Sequence, residues 1–143
     1  MLKGLSPLLS PELLATLYRM GHGEEILFAD AHYPVHQAGV PVIRADGHNI
    51  PELLQAVLPL LELDAYDPAP AMMMDVVPGD SPDPKVEAAY RSAIDQYQSN
   101  VPPIAKIERF AFYERAKSTH AIVATGDTAK YANLILKKGV TPT

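Results

Sequence analysis

The sequence contains no cysteine. That excludes a disulfide framework, thiolate zinc sites and a cysteine nucleophile, and it fits a cytosolic protein. Basic residues are outnumbered, 12 Lys and Arg against 17 Asp and Glu, and no basic cluster appears. Nucleic acid and anionic membranes are therefore not expected partners. No apolar run approaches the ~20 residues of a membrane span. Gly4, Ser6 and Pro7 interrupt the apolar N-terminus, which does not read as a signal peptide. Gly-x-Gly-x-x-Gly, Walker and Gly-x-Ser-x-Gly patterns are missing, so nucleotide binding and serine hydrolase chemistry have no support. Internal repeats and low-complexity segments are absent too.

What remains is a chain of 143 residues, 48% hydrophobic, with the size and apolar content of one domain (1–143) around one core. Ser10-Pro11-Glu12 followed by Leu13, Leu14 and Leu17 predicts a helix capped by Ser10 and ended near Gly21. Apolar runs at 25–30, 41–47 and 71–77 predict buried strands. The pattern at 49–63 predicts a helix that Pro59 kinks or ends. A more polar helix should run from Asp83-Pro84 to about Gln98, with Val86, Ala89, Tyr90 and Ile94 inward. Strands are expected at 104–109, 120–127 and 132–139, with a short helix at 110–118 that buries Phe110, Tyr113 and either Ala116 or the Lys117 stem. Strands alternating with helices define an α/β class: a three-layer α/β/α domain with a mostly parallel central sheet. Ligands then sit beyond the carboxyl ends of strands, where Asp30, Asp46 and Thr125-Gly126-Asp127 fall.

The polar residues at these ends are the chemical candidates. In "MGHGEEILFADAHYP", His22 lies between two glycines and no helix or strand requires an imidazole there. It suits general acid or base work near neutrality, or it is loop filler behind a helix-capping Gly21. Asp30 closes an apolar strand and either accepts hydrogen bonds from ligand hydroxyls or caps the next turn. His32 and His36 add imidazoles, but Pro34 between them prevents the helical spacing of zinc motifs, and a metal site is not expected. Arg109 stands at a strand–helix junction, where a guanidinium reaches a ligand as readily as a carboxylate. Tyr113 offers a phenol to a ligand or to a core partner. Asp64, in "LELDAYDP", reads as an ordinary solvated residue at a helix end or loop.

Five segments in order give these residues a context: "SPELLATLYRMGHGEEILFADAHYP", "VIRADG", "LLQAVLPLLELD", "ERFAFYERAK" and "ATGDTAKYANLILKKGV". Together they resemble the L-fucose mutarotase and D-ribose pyranase family across nearly the whole chain; 72–100 is the least diagnostic stretch. His32 after "DA", Arg109 and the "RFAFYERA" helix resemble the fucose branch, since ribose-type members have glycine and histidine at the first two places and lack the third. The resemblance implies interconversion of the α and β anomers of L-fucopyranose, with no cofactor and no metal. It implies His22 as proton donor and Tyr113 as its catalytic partner. It further implies that Asp30, Asp64, Arg109 and the segment Tyr131, Ala132, Asn133 bind sugar hydroxyls, Ala132 through backbone alone. His120 and His48 depart from the pattern and bear on sugar preference. The alternatives are a D-ribose pyranase or broader aldose mutarotase, a non-catalytic sugar-binding protein, and a metal-dependent hydrolase.

Extended chain from 25 to 30 rises about 3.3 Å per residue, which sets His22 and Asp30 roughly 15–20 Å apart. Both touch one small sugar only if residues 21–24 fold back or if neighbouring subunits share the site. The second arrangement agrees with the ring-shaped homo-oligomers, decamers in particular, that the resemblance implies.

Overall fold

A computed structural model describes all residues from Met1 to Thr143. Helix α1 (Pro11–Arg19) starts where Ser10 accepts a hydrogen bond from the Leu13 N–H, and it precedes strand β1 (Glu25–Ala29). Strand β2 (Val42–Ala45) leads into helix α2 (Ile50–Val57), which opens on a reciprocal Asn49–Glu52 capping box. Pro59 is not accommodated: α2 is over two residues before it. Strand β3 (Ala71–Met74), helix α3 (Pro84–Tyr97), strand β4 (Ala105–Ile107), helix α4 (Arg109–Ala116) and strands β5 (Ala121–Thr125) and β6 (Leu134–Lys137) complete the chain.

The six strands form one sheet in the order β2-β5-β1-β6-β3-β4. Five run the same way, and only β6 is inverted, antiparallel to both β1 and β3. Strand residues alternate between two cores, as a period of two requires. Ile26, Phe28, Val123 and Leu134 face the larger core beneath α1, α2 and α3. Leu27, Ile122, Ile135 and Met72 face a smaller one beneath α4. The sheet is thus covered on both sides, as a largely parallel sheet must be.

Two expectations need correcting. Strand β4 ends at Ile107, because the Glu108 carboxylate takes the Ala111 N–H and starts α4. The buried face of α4 is then Phe112 and Ala116, one turn apart, while Phe110 is exposed and Tyr113 only half-buried. Spacing of three from Phe110 to Tyr113 and of four from Phe112 to Ala116 are both helical; only the sheet beneath the helix chooses between them.

Candidate active site

At the carboxyl ends of β1, β3 and β4 the chain encloses an open cleft of about 410 Å³. The inverted strand β6 begins at the same edge. It therefore brings Tyr131 and Asn133 to Asp30 at the end of β1, Met74 at the end of β3, and Arg109 and Tyr113 on the first turns of α4. Five sequence candidates from three separate segments, Asp30, Arg109 with Tyr113, and Tyr131 with Asn133, thus converge on one cleft.

Asp30 is buried, and its two oxygens accept the N–H groups of His32 (2.9 Å) and Ala132 (3.3 Å). It is therefore both turn cap and cleft residue. Burial pushes its carboxyl above the usual range, while those two N–H groups pull the other way. The Asp30 N–H donates to Asn133 Oδ1 at 2.8 Å, which leaves the Asn133 amide hydrogens for a ligand. Arg109 carries a buried Nε with no hydrogen-bond partner in the chain, and its guanidinium carbon lies 4.6 Å from the Phe110 ring centre. A buried orphan donor in a cleft is a place for a ligand acceptor. Tyr113 packs its ring 5.5 Å from that of Tyr33. Burial, then the neighbouring Tyr113 and Asp30, push the Tyr33 phenol upward and keep it protonated. Ala132 does not line the cleft: its N–H goes to Asp30, and its carbonyl accepts the Tyr90 hydroxyl at 2.6 Å.

His22 and Asp64 are elsewhere. They lie at the opposite edge of the sheet, beside the end of β6, where the Asp64 N–H bonds to the Lys137 carbonyl and the Gly23 N–H to the Lys138 carbonyl. His22 Nε2 is 3.0 Å from Asp64 Oδ1, and the Tyr66 ring centre is 5.6 Å from the imidazole. Asp64 is buried, but burial is outweighed by the His22 hydrogen bond and the Tyr66 N–H, and its carboxyl sits below the usual range. An ionised carboxylate only accepts, so the hydrogen of this contact is on His22 Nε2, and Nδ1 is the ring nitrogen that Asp64 leaves free. His22 itself is half exposed.

The glycines around His22 have distinct reasons. Gly23 sits at φ +85°, the left-handed region that favours glycine. Gly21 does not: the helix cap is Met20, in extended conformation, and the Gly21 N–H is held by the Glu24 carboxylate. Gly139 must be glycine, because a Cβ there would lie 2.6 Å from the Leu63 carbonyl oxygen, against the backbone that carries Asp64.

Asp46 pairs with Arg44 on the surface, and Asp127 accepts the Ile50 N–H at the start of α2, so both serve structure. His48 pairs with Glu52 and His120 with Glu24. No three His, Asp or Glu side chains converge as a metal-ligand cluster. Met74, Asp80, Lys130 and Tyr33 line the cleft without having stood out in the sequence. For Tyr33 the signal was present, an aromatic three residues beyond Asp30; Asp80, in a loop, offered none.

Hydroxyl, carboxylate, guanidinium and amide groups around aromatic rings give this small α/β protein a cleft whose chemistry suits the hydroxyls of a small polar ligand. The chain belongs to the RbsD / FucU transport protein family, whose model matches residues 3–141. A fucose mutarotase from Streptococcus pneumoniae, solved in complex with L-fucose, is 48% identical over 99% of this chain and 100% of its own, with a TM-score of 0.93. FucU from Bifidobacterium longum is 40% identical over 98% and 100%, with a TM-score of 0.94. RbsD from Bacillus subtilis, solved with D-ribose, shares the fold at 20% identity over 99% and 100%, with a TM-score of 0.77. No helix is long and apolar enough to cross a membrane.

Proposed function

We propose that the protein is an L-fucose mutarotase, an isomerase that interconverts the α and β anomers of L-fucopyranose. The observation that carries this is end-to-end similarity, at 48% identity, to a fucose mutarotase solved with L-fucose. The cleft supports it with side chains suited to sugar hydroxyls.

Mutarotation protonates the ring oxygen, takes the proton from the anomeric hydroxyl and breaks the bond between the anomeric carbon and the ring oxygen. The resulting aldehyde rotates about its carbon–carbon bond, and the ring closes on the other face. One proton is gained and one lost, so an acid and a base suffice, each contributing about 10²–10⁴-fold. His22, whose free Nδ1 is backed by Asp64, and the Tyr113 phenol are the proposed pair. Asp30, Arg109, Tyr131 and Asn133 hold the hydroxyls so that the ring meets that pair in one orientation. Asp64 has oxygen lone pairs left for a hydroxyl, and Ala132 acts through the backbone that locks Asp30.

The two halves of this machinery lie at opposite ends of β1, so the complete site pairs the cleft of one copy with His22, Asp64 and Tyr66 of a neighbour. A closed ring, a decamer in the cytoplasm, satisfies every copy in the same way.

Saturation-transfer NMR across L-fucose, D-ribose and other aldoses tests the substrate. L-fucose should show the largest acceleration of anomer exchange. A larger effect on D-ribose would make the protein a pyranase instead. Binding of L-fucose without any acceleration would make it a sugar-binding protein.

A further inference from the structure

Building on the mutarotase reading, we infer that Asp80 is a positioning residue of the cleft: it accepts the Tyr131 hydroxyl hydrogen and thereby presents the Tyr131 oxygen to the sugar as a hydrogen-bond acceptor. Asp80 lies between β3 and α3, in a tight turn where its N–H bonds to the Val77 carbonyl and Gly79 adopts φ +90°. One carboxylate oxygen takes the Ser81 N–H at 2.9 Å, which fixes the group's orientation. The other takes the Tyr131 hydroxyl, also at 2.9 Å, and both side chains line the cleft.

Tyr131 needs such a hold. Its backbone is at φ +54°, a left-handed conformation in which a bulky aromatic is an outlier. Strain of that kind persists where the surroundings over-determine it, and here they do. Ala132 is held from both sides by Asp30 and Tyr90, and Asn133 is held by the Asp30 N–H. The backbone is therefore locked, and the Asp80 contact is what sets the ring's hydroxyl.

The chemical consequence follows from counting hydrogens. A phenol has one hydrogen and two lone pairs. With the hydrogen given to Asp80, Tyr131 can only accept. The cleft then offers a complementary set: Arg109, with its orphan Nε, donates, and Tyr131 accepts. A sugar hydroxyl does both, whereas an ether or a deoxygenated position would leave the Tyr131 oxygen unpaired. The negative Asp80 also pushes the Tyr131 phenol upward, so it stays protonated.

The pair is open to solvent, so its loss should be felt in binding rather than in folding. The test compares Asp80→Ala, Asp80→Asn, Tyr131→Phe and the double variant Asp80→Ala/Tyr131→Phe. For L-fucose, D80A should raise KM roughly 3–10-fold, the value of one hydrogen bond, with kcat within about twofold. D80N, whose amide oxygen still accepts the phenol hydrogen, should recover most of the loss. The double variant should be no worse than Y131F alone, because both remove one device. Carbon NMR of labelled tyrosines, with Tyr131 assigned by its loss in Y131F, should show this phenol titrating at lower pH in D80A. Unchanged KM and titration, simple additivity, or a Tm loss that accompanies the KM effect would each overturn the inference. If the wild type does not accelerate anomer exchange, the mutarotase reading fails. The Tyr131 titration and calorimetric L-fucose affinity then decide the role of Asp80 independently.

Discussion

Two inactive variants of this protein should rescue each other. His22→Ala and Tyr113→Phe each remove one member of the proposed proton relay, and each alone should lose about 10²–10⁴-fold in anomer exchange. The five residues of β1 separate His22 from the cleft end of the strand. At about 3.3 Å per residue that separation is roughly 15–20 Å, beyond the reach of one monosaccharide. Asp64 and the tail of β6 also hold His22 at its own edge, so it does not fold back. A working site must then take its imidazole from one copy and its phenol from the next. In a ring assembled at random from equal amounts of the two variants, roughly a quarter of the junctions pair an intact Tyr113 with an intact His22. Another quarter lack both, and the rest lack one. Co-expression should therefore restore about a quarter of wild-type exchange per chain, and saturation-transfer NMR reads that directly. Folded, assembled mixtures that stay as inactive as either parent would refute the shared site.

Two further outcomes follow from the same geometry. The Asp64 carboxyl sits below its ordinary value of 3.8, so the stability it contributes is present above that value and is lost as acid protonates it in the folded protein. Thermal melts of wild type and Asp64→Asn should therefore differ near neutrality and converge as pH falls through the carboxylate range; a gap that widens in acid would contradict the assignment. Phe112 is fully buried and meets Tyr33 edge-on at 6.1 Å, so Phe112→Ala should cost about 3–5 kcal/mol in urea unfolding. A cost under about 1 kcal/mol would mean that Phe110, on the other side of the helix, is the anchor after all.

Much of the fold could be read from local chemistry. Ser10 and Pro11 announce the first helix start and Ser10 caps it as expected, while at the starts marked by Pro51 and by Asp83-Pro84 the structure adds the caps Asn49 and Asp83. The buried strands announce themselves as apolar runs between turn residues. Strand order does not, because pairing joins segments far apart: β1 lies between β5 and β6, and the inversion of β6 has no local signature. Inverting β6 is what delivers Tyr131 and Asn133 to Asp30. The cleft's membership was therefore only partly legible: Arg109 and Tyr113 stand out as polar groups beside a predicted strand end, but Asp80 meets Tyr131 from a loop 51 residues away. The separation of His22 from Asp30 was legible through strand length alone, and the structure adds what length could not, the Asp64 carboxylate that fixes which imidazole nitrogen is free.

The central claim is that this protein speeds the exchange of L-fucose anomers through His22. Its most direct test is saturation transfer between the α and β anomeric protons of equilibrated L-fucose, with wild type and His22→Ala side by side and no other addition. Exchange that accelerates with wild type and returns to the buffer rate with the folded variant is the predicted result. Exchange at the buffer rate with wild type, or undiminished acceleration with His22→Ala, would contradict it.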